Sequence, residues 1–194
     1  MRRSHWRRAP FASLDFETTG LDYRRDAVVS FGVVPVRGGR VVLGESVHRL
    51  VGSAVPSTPT SMKIHQILPR DLEDALPEAA AASALRAELD GRFVLTWYAD
   101  VEIAFLRRIF GGGARTWSRR TVDVRRLAVA FEGASPDARF GLSVTAERYG
   151  VPVANPHEAL DDALVTAQLF LVLATKLEGR GFGSVRSFLR LTRG

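Results

Sequence analysis

The 194-residue sequence has no cysteine and only two lysines, Lys63 and Lys176. Without cysteine there are no disulfides, thiolate nucleophiles, zinc knuckles or iron–sulfur ligands, a pattern that suits a reducing compartment and gives the expectation of a cytoplasmic protein. Long apolar runs are also missing. The longest, Ala163 to Ala174, is broken by Thr166 and Gln168 and is shorter than the ~20 residues that cross a bilayer, so it reads as a buried core helix. The opening stretch Met1 to Pro10 carries four arginines but lacks the apolar segment of ~7 to 15 residues that a signal peptide requires. Internal repeats and low-complexity tracts are absent, and the composition excludes the fibrous and disordered classes.

Arginine is abundant instead. Twenty-seven basic residues, 25 of them arginine, stand against 21 acidic ones, for a net charge of +6 and a pI near 10.6. Forked guanidinium contacts to phosphate make nucleic acid a natural partner for such a chain. Codon bias in an arginine- and alanine-rich genome produces the same excess, so composition alone leaves both explanations standing. The apolar share of 46 % and charged share of 25 % are those of an ordinary soluble fold. The length fits one domain, here expected over residues 11–194 behind a basic N-terminal arm, residues 1–10.

Patterning predicts an α/β fold. A short buried strand is expected over Phe11 to Phe16, then two β-branched stretches, Ala27 to Val36 and Val41 to Val51, joined across Gly38-Gly39 as a hairpin. Gly52 to Pro59 reads as a loop, with helical turns at Ser61 to Ile67 and Arg70 to Asp74 and a helix over Glu78 to Leu89. Phe93 to Trp97 is a second kind of strand, flanked by helices, and Val101 to Phe110 is helical until Gly111-Gly112-Gly113. A strand at Thr121 to Val124 leads into a helix through Ala130. Helices at Asp137 to Tyr149, Glu158 to Leu177 and Ser184 to Leu191 complete the chain. Five strands result, three antiparallel at the start and the later ones parallel, in a mixed sheet covered by helices.

Three acidic segments carry the chemistry. In Asp15-Phe16-Glu17-Thr18-Thr19-Gly20, strand geometry sends Asp15 and Glu17 to one face and Phe16 into the core. Two adjacent carboxylates at the end of a buried strand repel each other, and a hard divalent cation relieves that repulsion. A solvated strand end gives the same D-x-E pattern. In His157-Glu158-Ala159-Leu160-Asp161-Asp162-Ala163, Asn155-Pro156 marks a helix start. His157 and Asp162 would lie about 140° apart on a continuous helix, so they converge only if His157 sits on the loop before it. Asp162 then suits a fixed ligand and His157 a mobile general base; complementing the helix dipole is the routine alternative for the three acids. The third segment, Trp97-Tyr98-Ala99-Asp100-Val101-Glu102, runs from a strand into a helix with Glu102 in its first turn, a place where acids are also common for structural reasons.

Taken together, these segments resemble the DEDD superfamily of 3′-to-5′ exonucleases, in its histidine-containing branch, which includes the proofreading subunit of bacterial DNA polymerase III, ribonuclease T and oligoribonuclease. The resemblance runs from about Phe11 to Leu177. Asp15 to Gly20 stands letter for letter as the family's first motif, and His157 to Ala163 fits H-x-A-x-x-D-A with Asp162 in the conserved place. Ile64-His65-Gln66-Ile67 is similar to an I-H-G-I segment, with Gln66 where glycine is usual. Gly141-Leu142-Ser143 followed by Tyr149-Gly150-Val151 is similar to the helix ahead of the third motif. The second motif departs. Where H-N-A-x-F-D is usual, this chain has Trp97-Tyr98 in place of His-Asn and Glu102 in place of the aspartate, with register held by Ala99 and Phe105-Leu106.

The resemblance implies a ribonuclease H-like fold and two-metal phosphodiester hydrolysis. Asp15, Glu17, Glu102 and Asp162 would hold two magnesium or manganese ions, and His157 would take the proton of the attacking water. Thr18, Thr19, Gly20, Leu21, His65 and Tyr98 would contact the substrate. The partners implied are nucleic acid with a free 3′ end, single-stranded or frayed, with DNA favoured, and a polymerase; no membrane is implied. Trimming of RNA 3′ ends fits the same residues. So does a binding module for nucleic-acid ends or a polymerase, impaired in catalysis by Glu102.

Overall fold

The computed structural model describes residues 4–135 and 140–193. Its strands are β1 (Phe11–Thr18), β2 (Val28–Arg37), β3 (Arg40–Val41), β4 (Val47–Leu50), β5 (Phe93–Thr96) and β6 (Thr121–Asp123). They form one mixed sheet in the order β3-β2-β1-β5-β6, with β4 also paired to β2. The leading strands pair antiparallel, whereas β5 joins β1 and β6 joins β5 in parallel. Helices α1 (Pro59–His65), α2 (Glu78–Leu89), α3 (Ala99–Phe110), α4 (Ala114–Ser118), α5 (Val124–Glu132), α6 (Leu142–Arg148), α7 (Ala159–Glu178) and α8 (Val185–Leu191) complete the described fold.

The expected hairpin is present. Arg37 pairs with Arg40 across Gly38 and Gly39, both at positive φ, the backbone that a two-residue loop needs to match the strand twist. The third expected strand does not run unbroken from Val41 to Val51. Gly44, Glu45 and Ser46 are poor strand formers, and a 3-10 turn at Leu43–Glu45 divides it into β3 and β4. Helix α4 falls where only a glycine stop was expected. The helix expected over Asp137 to Tyr149 has its first residues outside the described ones, and α6 supplies the rest.

Strand alternation sorts β1 between two cores. Ala12, Leu14 and Phe16 point toward α2 and α3, packing with Leu85, Leu89, Phe105 and Leu106. Phe11 belongs to the opposite layer with Phe170, Leu173, Leu177 and Phe188 of α7 and α8. Asp15 and Glu17 share the parity of Phe11, so they emerge on the face that α7 covers. The N-terminus of α7 therefore meets the acidic end of β1.

Residues 5–9 pack against this second layer. Trp6 is fully buried, lies edge-on to Phe170 at 5.7 Å between ring centroids, and donates its indole N–H to Glu178 at 2.8 Å. Its backbone N–H bonds the carbonyl of Gly183. Arg7 and Arg8 of the basic N-terminal stretch thus flank a buried tryptophan, because apolar surface that large is more stable against the α7–α8 layer than in water. Among the described residues no helix is long and apolar enough to cross a membrane.

Candidate metal centre

Asp15, Glu17 and Asp162 each bring a carboxylate oxygen to within 4.8 Å of the other two. The first two come from one face of β1, where Asp15 faces Gly32 and Glu17 faces Ser30 on β2. A register irregularity falls between Glu17 and Thr18, after which Thr18 pairs with Val28; such irregularities re-aim side chains at strand ends. Asp162 comes from the first turn of α7. Gly32 admits that helix: a Cβ placed there would collide with the backbone of Ala159 and Leu160.

The acids of the α7 entry divide their work. Glu158 is the N-cap, accepting from the backbone N–H groups of Leu160 and Asp161 at 3.4 and 3.0 Å. Asp161 ties down the loop by accepting from the backbone and side-chain N–H groups of Asn155 at 3.1 and 2.6 Å. Asp162 alone faces the cluster, and its carboxylate accepts the backbone N–H of His157 at 3.1 Å. His157 sits on the loop, exposed, at φ 65°. That left-handed conformation costs about 1 to 3 kcal/mol in a non-glycine residue and tends to persist where a surrounding site enforces it.

Crowding is written into the electrostatics. The Asp15 carboxyl is pushed well above the usual carboxylate range by burial, and then by the charges of Glu102, Glu17, Asp162 and Glu158. Burial, followed by the charges of Asp162 and Glu158, raises Glu17 to about 8. Asp162 is raised by burial against the opposing pull of its hydrogen bond from His157. With no cation present, Glu17 in this arrangement holds its proton at neutral pH. A divalent cation among the carboxylates reverses that preference, since oxygen donors of this density are what hard cations take.

Glu102 stands beside the trio. It lies in the first turn of α3, is 5 % exposed, and has a carboxylate oxygen, Oε2, that is buried with no hydrogen-bond partner. Burial lifts it to about 8, with smaller contributions from Asp123 and Asp100. A buried carboxylate oxygen without a donor is costly unless a cation satisfies it. Asp100, by contrast, points outward and pairs with Arg126 at 3.3 Å.

The expected substrate residues differ in what they leave available. The Thr19 hydroxyl is buried and spent within the turn, donating to Asp26 at 3.0 Å and accepting from the Ala27 N–H at 3.0 Å. The tight turn after β1 thus uses that hydroxyl for its own backbone. Thr18 likewise donates to the carbonyl of Gly20 at 2.7 Å, and a Cβ at Gly20 would strike the Asp26 carboxylate. Leu21 is 86 % exposed. Tyr98 is also exposed, with the Arg125 guanidinium 4.8 Å from its ring centre. Trp97 belongs to the core layer under α7. His65 is buried; its Nδ1 accepts from the Ile67 N–H at 3.0 Å while Nε2 has no partner, and burial lowers its pKa.

Two supporting groups escaped the sequence reading. Asp123, buried at the end of β6, caps α5 through the Arg126 N–H at 2.7 Å and also accepts the Ala99 N–H at 3.1 Å. It thereby fixes the start of α3 and the position of Glu102. An aspartate ahead of an apolar helical run is a recognisable N-cap signal. His48 on β4 reaches Ser30 at 2.8 Å and Glu158 at 3.4 Å, linking the strand opposite Glu17 to the cap of α7. No local pattern marks it.

The family model described as exonuclease (RNase_T) matches residues 13–170. The chain is similar to the PolC-type DNA polymerase III of Thermotoga maritima, 32 % identical over 178 residues that make up 84 % of this chain and 12 % of that protein. It is similar to the 3′-5′ exonuclease DinG of Staphylococcus aureus, 22 % identical over 187 residues, 95 % of this chain and 20 % of that one. It thus spans a small part of the length of these relatives. Among solved structures, E. coli exonuclease I in complex with a dT13 oligonucleotide superposes with a TM-score of 0.74 at 20 % identity, covering 90 % of this chain and 43 % of that one. Cell-death related nuclease 4 superposes with a TM-score of 0.70 at 14 % identity, covering 87 % and 64 %. These structures share the α/β fold, a mixed sheet flanked by helices.

Proposed function

The chain belongs to the exonuclease family, and from that membership we propose that it hydrolyses phosphodiester bonds at the 3′ end of single-stranded or frayed nucleic acid, releasing nucleoside monophosphates. The observation that carries this reading is the convergence of Asp15, Glu17 and Asp162 within 4.8 Å. Their oxygen-only donor set suits magnesium or manganese. Asp15, Glu17 and Asp162 would hold a pair of divalent ions, with Glu102 completing the set from α3. When bound, such ions polarise the attacking water and stabilise the departing 3′-oxygen.

The remaining work falls to the chain. His157, on an exposed loop whose N–H is anchored on Asp162, accepts the proton of the attacking water as general base, the role that defines the histidine-containing branch. Gly20, Leu21 and Tyr98 line the approach of the terminal nucleotide, Leu21 and Tyr98 by packing on its base. His65, with a buried free Nε2, offers a further polar contact. Thr18 and Thr19 serve by holding the turn. Similarity to PolC-type polymerases and to the DinG exonuclease favours DNA as substrate. The PolC-type relatives also support a polymerase as partner, since the matched segment there is part of a much longer polymerase chain.

The test is direct. Purified protein is incubated with 3′- and 5′-labelled DNA and RNA oligonucleotides in magnesium, manganese or EDTA. Shortening from the 3′ end that requires metal, proceeds faster on DNA and disappears in Asp15→Ala is the expected result. Tight binding with no nucleotide released in either metal would replace this reading with a non-catalytic binding module.

A further inference from the structure

A cleft of about 520 Å³ opens on the β6 side of the acidic site, between α3, α4, the start of α5 and the end of α8. Four arginines line it, Arg115, Arg119, Arg126 and Arg193, against two acids, Asp100 and Asp123. Arg126 pairs with both acids, with its guanidinium 3.3 Å from Asp100 and 3.8 Å from Asp123. Arg115, Arg119 and Arg193 are exposed and have no carboxylate within ion-pair distance among the described residues. Arg115 and Arg119 stand four apart around the single turn of α4, a like-charge spacing that destabilises a helix. Two segments distant in sequence, α4 with its C-cap and the stretch after α8, therefore deliver unbalanced positive charge to one concavity.

We infer that this cleft binds the phosphodiester backbone of the substrate strand, upstream of the terminal nucleotide. The inference rests on the exonuclease reading for its substrate and adds the path that the strand takes. Asp100 lies on the cleft and Glu102 in the acidic site, both within the first turn of α3. Exposed Tyr98, just before that turn and next to the cleft-lining Ala99, has Arg125 over its ring, so an aromatic side chain stands at the start of α3 beside the cleft. A strand leaving the carboxylates, whose own charge repels phosphate, meets Tyr98 and then this cleft. Planar forked guanidiniums on an aromatic-flanked groove are what a single-stranded backbone recognises.

The test is the salt dependence of oligonucleotide binding, with calcium in place of magnesium, for the full chain and for Arg115→Gln/Arg119→Gln/Arg193→Gln. Each phosphate contact contributes about 0.7 to the slope of log affinity against log salt for a single strand, so the triple variant is expected to bind with a slope shallower by about 2. The corresponding triple lysine variant, which keeps the charge, should regain most of that slope, and Arg70→Gln, on a remote 3-10 turn, should not change it. A dinucleotide, too short to reach the cleft, should bind the glutamine variant and the unaltered protein alike. An unchanged slope in the glutamine variant, or an equal loss for dinucleotide and long strand, overturns the inference. If the slope falls as expected but neither protein releases nucleotides in magnesium or manganese, the cleft stands and the exonuclease reading fails.

Discussion

Gly32 lies directly across from Asp15 on the neighbouring strand, and it is the absence of a side chain on Gly32 that lets α7 bring Asp162 up to Asp15. A strand glycine without positive φ has no conformational excuse; here close approach of another backbone supplies one. Replacing it tests how tightly the acidic cluster depends on helix placement. Gly32→Ala should displace the α7 N-terminus, costing about 1 to 3 kcal/mol as overpacking does. Because misplacement by ~1 Å can cost about 10²-fold in rate, nucleotide release should fall by that order. Denaturant midpoints and single-turnover rates measure the two effects. A variant equal to the parent in both would show that the contact between β2 and α7 is slack.

Metal removal should make stability depend on pH in an unusual direction. In the folded protein Glu17 and Glu102 hold their protons up to about 8, against an ordinary 4.5. Between those limits the folded state binds more protons than the unfolded one, so stability falls as pH rises. Below 4.5 both states are protonated and the contribution is fully present. Thermal melts in EDTA should therefore drop progressively from pH 5 to pH 8. Manganese or magnesium should restore the loss at pH 8 and add little at pH 5, because the ligands must be deprotonated to bind. Melting temperatures that stay level over this range, or that rise with pH in EDTA, would contradict the crowded-carboxylate picture.

Glu102 separates charge from shape. Glu102→Gln preserves volume while removing the charge from a buried carboxylate whose Oε2 has no donor. In EDTA at pH 8 the variant should be at least as stable as the parent, since an uncompensated buried charge is gone. Turnover should fall by about 10- to 100-fold, the range typical of groups that support a metal from beside its principal ligands. Asp15→Asn, inside the trio, should abolish it. Metal titrations of single-turnover rates distinguish a weakened metal site from a slowed chemical step. Loss of all activity in Glu102→Gln would promote Glu102 to equal rank with the trio.

The parts of this site that were legible in sequence are those encoded by local periodicity. Alternation in β1 placed Asp15 and Glu17 on one face, the glycine pair announced the β2–β3 turn, and the angular mismatch between His157 and Asp162 required a loop before α7. The groups that were missed owe their positions to register between distant segments. His48 meets Ser30 and Glu158 across two strands and a helix cap, and Asp123 holds Ala99 from the neighbouring strand. Such contacts leave no periodic mark. Thr19 is a motif residue whose hydroxyl is bonded within the turn, to Asp26 and the Ala27 N–H. The split of the third strand followed from weak strand formers that a run of valines on either side concealed.

Gln66 ends α1 in the left-handed region, at φ 59°. This explains physically why glycine suits that place in the I-H-G-I segment the chain resembles, since a side chain there crowds the following carbonyl. Gln66→Gly should stabilise the protein by up to about 1 kcal/mol, the relief of that crowding partly offset by greater freedom of the unfolded chain. Urea unfolding measures it. A destabilised variant would mean that the Gln66 side chain makes contacts worth more than the strain it imposes.

Trp6 decides whether the basic N-terminal stretch is an appendage or part of the core. Its ring is fully buried against Phe170, and its N–H, ahead of His5 and Arg7, holds the Glu178 carboxyl below the ordinary range. Trp6→Ala should cost about 3 to 5 kcal/mol, as deletion of a buried aromatic does. Trp6→Phe, which keeps most of the packing and loses the N–H, should cost visibly less. Both are read from denaturant midpoints at constant slope. A free arm predicts the contrary: an alanine variant as stable as the parent, with only nucleic-acid affinity altered. Because α7 carries Phe170 and Glu178 toward one end and Asp162 at the other, loosening Trp6 should also raise the unfolding rate of the helix that positions the metal ligand, making metal affinity fall together with stability in Trp6→Ala.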